Sequence, residues 1–202
     1  VLFVSKNPDL FSSAAGSSAL NELHPRERAL AKEQLIQMDP PGHTELRNLM
    51  NPQFKPQAIR ETEAHMRKIV CETLDKLESQ SECDFVDAVS APISLRVLTN
   101  FLGVPDKYTN RFYRWTNQTM RFGEPGFANL LRARIALLQI FAQSALLART
   151  RRKEPLTDVF SSLVNGEWHG KPLTRMMVQV NFFLLIIAGN ETTRNALSGG
   201  IQ

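Results

Sequence analysis

Six consecutive residues, Ala188-Gly-Asn-Glu-Thr-Thr193, put a carboxyl and two hydroxyls at the end of an apolar run that begins at Val178. Burying a carboxylate is costly unless it is paired or neutralised. Gly189 weakens a helix by about 1 kcal/mol relative to alanine. Thr192 and Thr193 can bond the carbonyl one turn back and bend the helix. Together these predict a distorted turn where a small ligand or water enters the helix ladder. A polar defect of this kind in a buried helix is a candidate for proton handling. The blander alternative is a Glu191 at a helix end, paired with Arg194 or another cation. A second constellation is Met38-Asp-Pro-Pro-Gly-His43-Thr-Glu-Leu-Arg47. His43 and Arg47 share a helix face at i, i+4. The arginine fork suits a carboxylate, and His43 stands near a helix N-terminus, where anions are favoured. Taken alone, His43 also reads as a helix-start residue with a solvated ring.

The elements that position these residues are helical almost throughout. Val1 to Val4 reads as a short strand, Ser12 to Ser18 as a small-residue loop, and Arg26 to Gln37 as a short helix. Asp39-Pro-Pro-Gly42 is a hard break, after which a helix starts near His43 or Thr44. Ile59, Met66, Ile69, Val70, Leu74 and Leu77 recur at helical steps and predict an amphipathic helix over Gln57 to Ser79. Ala88 to Phe101 follows, stopped by Gly103-Val-Pro105. Asp106 is a candidate cap for a helix through Tyr108, Phe112, Trp115 and Met120. Gly123-Glu-Pro-Gly126 is a turn, and Phe127 to Arg152 a long helix. Thr157-Asp158 opens a helix to Val164, and Asn165 to Gly170 has hairpin-turn chemistry. Thr174 caps a last, strongly apolar helix that runs to the end. The class is mainly α with minor β at the N-terminus.

Length and composition narrow the function further. The chain has 202 residues, 43% of them hydrophobic, which permits one core and does not require a second. Its 24 basic and 20 acidic residues are scattered, so no nucleic-acid partner is implied. Cys71 and Cys83 have no histidine cluster near them and make no disulfide framework; a reducing cytoplasmic compartment fits. Val178 to Gly189 is too short for a membrane span, which needs about 20 apolar residues. The absence of an initiating Met and the end on Ile201-Gln202 suggest cut points.

The Ala188 to Thr193 motif, after its apolar run and before Arg194-Asn-Ala, resembles the oxygen-binding motif of the bacterial cytochrome P-450 family. The His43 to Arg47 segment, with Phe54 and Pro56 after it, resembles the family's third helix, where the His and Arg hold haem propionates. Phe11-Ser-Ser13, Phe85-Val-Asp87, Leu102-Gly-Val-Pro105, and Asp158 to Val164 with Leu173-Thr174 follow in family order. The resemblance covers nearly the whole chain and leans towards members that hydroxylate sterols, long alkyl chains or terpenoids.

It implies a cytochrome P-450 fold over residues 1–202, truncated after the long central helix, and a haem-dependent monooxygenase of hydrophobic small molecules. The cofactor would be haem b. Molecular oxygen and a ferredoxin-type redox partner would supply the oxidant and electrons. Glu191 would relay protons and Thr192 would hydrogen-bond the dioxygen. Ala188 and Gly189 would line the oxygen groove, while His43 and Arg47 would anchor propionates. The family's Glu-x-x-Arg pair and Phe-x-x-Gly-x-x-x-Cys ligand loop come after the central helix. Neither Cys71 nor Cys83 is therefore expected to bind metal, and the chain as it stands is expected to be inactive. Apolar surface is expected along Val178 to Ile187. Ser17 to Leu35, Trp115 to Phe127 and Asn181 to Ile187 match substrate-facing regions, although Trp115, Phe122, Phe182 and Phe183 read equally as core. The cluster Arg149 to Lys153 could meet an acidic ferredoxin or be a solvated helix end. Two other readings stay open: a helical ligand-binding regulator, and a non-catalytic helical remnant.

Overall fold

The computed structural model describes residues 2–14, 29, 31–121 and 125–201. Most of the expected loop at Ser12 to Ser18, the start of the Arg26 to Gln37 helix, and half of the turn at Gly123 lie outside them. Eight α-helices are assigned among the described residues: α1 (Leu2–Ser5), α2 (Gly42–Met50), α3 (Pro56–Asp75), α4 (Ala91–Phe101), α5 (Thr109–Met120), α6 (Phe127–Lys153), α7 (Val159–Asn165) and α8 (Arg175–Gly199). The only strands among them are β1 (Glu167–Trp168) and β2 (Lys171–Pro172). The N-terminal strand expectation is corrected, since Leu2 to Ser5 forms a helical turn. The β structure is an antiparallel hairpin, Glu167 opposite Pro172 and Trp168 opposite Lys171. Its two turn residues, His169 and Gly170, both have positive φ (52° and 69°), the conformation that a two-residue hairpin turn requires.

Local chemistry explains most boundaries. Pro56 opens α3, where its missing N–H costs nothing. Asp158 caps α7 by accepting from Ser161 N at 2.6 Å, and Thr174 caps α8 by accepting from Met177 N at 3.0 Å. Asp106 caps nothing: it begins a 3-10 turn, Asp106–Tyr108, and α5 starts behind it without a side-chain cap. The segment before α4, Val86–Ser90, is π-helical. Pro92 lies just beyond it and cannot donate to the carbonyl four residues back, a place where a helix widens readily.

One core dominates. Leu46 and Met50 of α2, Phe112 of α5, Ile140 and Leu147 of α6, Phe160 and Leu163 of α7, and Met177, Phe182 and Ile186 of α8 are all buried in it. Phe182 sits between Phe160 (ring centroids 4.6 Å apart) and Phe112 (5.7 Å), in the tilted and edge-on arrangements that aromatic rings prefer. The expected apolar surface along Val178 to Ile187 is only partial: Val178, Val180, Phe182 and Ile186 are buried, against a neighbourhood of α4, α6 and α7, while Phe183, Leu184, Leu185 and Ile187 are half-buried. A satellite cluster of Ile69, Val89 and Ile93 joins α3 to α4. α3 is less amphipathic in place than its spacing predicts, with Ile59 and Leu74 exposed.

Among the described residues one helix, α6, is long and apolar enough by composition to cross a membrane. It buries Ala133, Ala136, Ile140, Gln143, Ser144, Leu147, Ala148 and Arg151 against its neighbours.

Candidate active site

The middle and end of α8 carry the first constellation. The helix runs unbroken from Arg175 to Gly199, so the ladder is not opened at Gly189. Thr192 Oγ1 donates to the Ala188 carbonyl at 2.5 Å, which satisfies the hydroxyl within the α-helix instead of unwinding it. Residues 188 and 192, at i and i+4, share a face, and both are exposed. Glu191 is half-buried, and its carboxylate makes no hydrogen bond or ion pair among the described residues, with Arg194 or any other cation.

The opposite side of α8 is fastened. Asn190 is buried, and its Oδ1 accepts from Ser94 Oγ at 2.9 Å. Ser198 Oγ donates to Ser90 Oγ, also at 2.9 Å. One residue before Asn190 lies Gly189, where a Cβ would come within 2.7 Å of Leu98 Cδ1. The vacant side-chain position of Gly189 thus faces α4, so this glycine serves close helix approach, and Ala188 presents the open face. Asn190 had no separate role in the sequence reading. Its signal is a carboxamide among apolar residues, which must find a partner when buried.

The second constellation stands on α2. His43 is half-buried and Arg47 exposed, and neither side chain has a hydrogen-bond or ion-pair partner among the described residues. His43 borders a cavity of about 380 Å³ with Val4, Phe11, Leu35, Met38 and Asp39. Asp39 is engaged elsewhere: its carboxylate accepts from Ser12 Oγ at 2.5 Å and Ser13 N at 2.8 Å. The Ser12 hydroxyl above all, then the Ser13 amide, hold it below the usual carboxylate range, with the Ala14 amide and the charge of His43 helping against some desolvation.

Two devices orient α2. Trp168 Nε1 donates to the Gly42 carbonyl at 3.1 Å, with the indole against Gly42. Glu45 accepts from His169 N at 3.1 Å and lies 3.0 Å from His169 Nδ1. The approach to α2 is tied to α8: Asn181 Oδ1 accepts from Leu35 N at 2.7 Å, and Asn181 Nδ2 donates to the Glu33 carbonyl at 2.8 Å. His43 is therefore eight residues beyond a point fixed to α8, and Ala188 lies about 10 Å further along that helix.

The cluster Arg149 to Lys153 divides. Arg151 is buried, donating from Nε to Asp158 Oδ2 at 3.1 Å and from Nη2 to the Gly103 carbonyl. It is a structural cation, while Arg149, Arg152 and Lys153 are exposed. Cys71 and Cys83 are free and exposed, and no metal-ligating cluster occurs among the described residues. Phe182 and Trp115 belong to the core or pack against it, as does Phe183. Phe122 and Ser17 to Arg28 lie outside the described residues.

No protein-family model matches the chain. Curated relatives are cytochromes P-450. A methyl-branched lipid omega-hydroxylase of Mycobacterium tuberculosis is 31% identical over 100% of this chain and 47% of its own length. A steroid C26-monooxygenase of the same organism is 32% identical over 100% of this chain and 49% of its own. Among solved structures, a Mycobacterium marinum cytochrome P450 in complex with pseudoionone superposes with a TM-score of 0.87 at 30% identity, covering 98% of this chain and 49% of that one. Over its whole length the chain is similar to cytochromes P-450, and it has their fold. It spans about half the length of the curated relatives that it matches.

The family implies haem, and the residues present fit part of what haem needs. Unpartnered His43 and Arg47 on one helix suit two propionates, and the face of α8 through Ala188 and Thr192 is open for a planar group. An axial thiolate is not furnished, since neither Cys71 nor Cys83 lines the cavity beside His43.

Proposed function

We propose that this chain forms the oxygen-side half of a cytoplasmic monooxygenase that hydroxylates a hydrophobic alkyl chain or steroid side chain, with haem b as cofactor. The overall change is RH + O2 + 2 electrons + 2 protons → ROH + H2O, the electrons coming from a ferredoxin-type partner. Bound haem supplies the iron at which dioxygen is activated. His43 and Arg47 hold its propionates as charge-assisted donors. The small side chain of Ala188 leaves room over the ring. Thr192 holds a hydroxyl at that face, already aligned by its bond to the Ala188 carbonyl, and it positions the proton. Glu191, with no hydrogen-bond or ion-pair partner among the described residues to hold it in place, moves protons from the exterior to that hydroxyl.

The substrate class is suggested by relatives acting on methyl-branched lipids and steroids. The observation that carries the reading is the open Ala188–Thr192 face beside an unpartnered Glu191. Because the carboxyl and hydroxyl act on protons, their removal should cost product more than it costs electron consumption.

The test is turnover by the full-length protein with a ferredoxin, its reductase, a branched fatty acid or cholestenone. Hydroxylated product is expected, and Thr192→Ala should lower product per electron pair by about tenfold or more. Full coupling in both Thr192→Ala and Glu191→Gln would sink the assignment of these two residues. Failure to bind haem at all would sink the enzyme.

A further inference from the structure

A cavity of about 370 Å³ lies between the end of α3, the π-helical turn and α4 behind it, and the start of α5; no residue of α2 or α8 lines it. Two hydrogen bonds give it a direction. The Thr99 and Thr109 hydroxyls meet at 3.2 Å, and Tyr113 OH donates to Asp87 Oδ1 at 3.5 Å, so α5 runs back along α4. The cavity therefore has an Arg96 end and an Asp87 end, nine residues or about 13 Å apart along the helix.

The Arg96 end is cationic. Arg96 Nη2 donates to Glu72 Oε2 at 2.5 Å, while its Nη1 is buried with no hydrogen-bond partner. A buried guanidinium N–H left without an acceptor is costly, so this end is one acceptor short. Lys76 also lines the cavity, one turn beyond Glu72 at the end of α3. Two cations against one carboxylate leave a positive balance there. The middle is apolar, walled by Leu77, Ala88, Pro92 and Leu95. The far end is anionic: Asp87 is exposed, and its contact with Tyr113 is at the outer limit of a hydrogen bond. Asp87 stands in the π-helical turn Val86–Ser90, and such turns recur at functional sites.

We propose that this cavity binds a linear carboxylic acid with a hydroxyl at its far end. The carboxylate meets Arg96 and Lys76, the chain lies along Leu77, Pro92 and Leu95, and the hydroxyl donates to Asp87. A carboxylate supplies the acceptor that Arg96 Nη1 lacks, in a charge-assisted bond. Apolar walls with a few polar anchors, at this volume, suit a small ligand. A plain fatty acid would leave the Asp87 end unused, and a diacid would set a carboxylate against it. Hydroxylation at the end of an alkyl chain yields this ligand class, so the site would read product; that step alone rests on the proposed function, and the binding does not.

The experiment is calorimetric titration of the full-length protein with 10-hydroxydecanoate and with decanoate, alongside haem absorbance, which reports a ligand at the haem. Binding of 10-hydroxydecanoate is expected at a site that leaves the absorbance unmoved, with decanoate about fivefold weaker there. Each of Arg96→Gln and Asp87→Asn should weaken binding about tenfold. Ala88→Leu, which enlarges a wall residue without removing a charge, should abolish it. Arg67→Gln, on α3 and paired with Glu63 at 3.6 Å, should leave it unchanged. Thermal melting checks that each variant is folded. Three results overturn the proposal: no binding apart from that seen at the haem, binding that ignores all three cavity variants, or equal affinity for decanoate. A protein that binds 10-hydroxydecanoate in this way and yields no hydroxylated product keeps the site and loses the proposed function; the reverse result loses the site alone.

Discussion

Arg151 and Asp158 are both buried, and Asp158 holds two groups at once, the Arg151 guanidinium and the Ser161 amide, while Arg151 also donates to the Gly103 carbonyl. Gly103 has φ of +70° and no room for a Cβ beside Asp158. Breaking a buried pair from one side strands the other charge, at a cost of about 3–5 kcal/mol. Asp158→Ala should therefore lower the unfolding free energy of the full-length protein by that amount in urea titration, whereas Glu63→Ala, in an exposed pair, should change it by well under 1 kcal/mol. At Asp39 the folded carboxyl titrates below its ordinary value. Its tether to Ser12 and Ser13 should be intact above the unfolded pKa and be lost as pH falls through the folded one. A carbon-detected titration of Asp39 reads this directly: a midpoint at or above 3.8, the ordinary value, would contradict it.

At the scale of elements, α8 shows best what sequence could and could not say. Its cap, its length and its polar motif were all legible, since Thr174 and the apolar run are local signals. That the ladder stays closed was not, because whether Thr192 bends or merely decorates a helix depends on neighbours. The direction of Gly189 was also hidden: only packing decides that its missing Cβ faces Leu98. Asp106 and Leu74 failed for the same reason, one displaced by a 3-10 turn and the other left on an uncovered face. Gly189→Ala gains about 1 kcal/mol of helix propensity and loses about 1–3 kcal/mol to overpacking. Net destabilisation is expected, and Leu98→Ala in the same protein should convert it into a gain relative to Leu98→Ala alone. Additive effects in that double-mutant cycle would mean that α4 and α8 do not meet there.

For the whole molecule, the fold family and most helices could be read from residues 1–202, because helical spacing and the Ala188 to Thr193 motif are written locally. The inward-facing small residues of α6 and the clasp of the hairpin on α2 could not, since both are relations between distant segments. Trp168 and Gly42 are 126 residues apart in sequence. Contacts of that span close late, after their loop entropy has been met. The contacts of β1 and β2 with α2 join its core packing through Leu46 and Met50 in fixing the angle at which His43 and Arg47 project. An acidic prosthetic group would find its two cationic hands in place only where these distant segments have met.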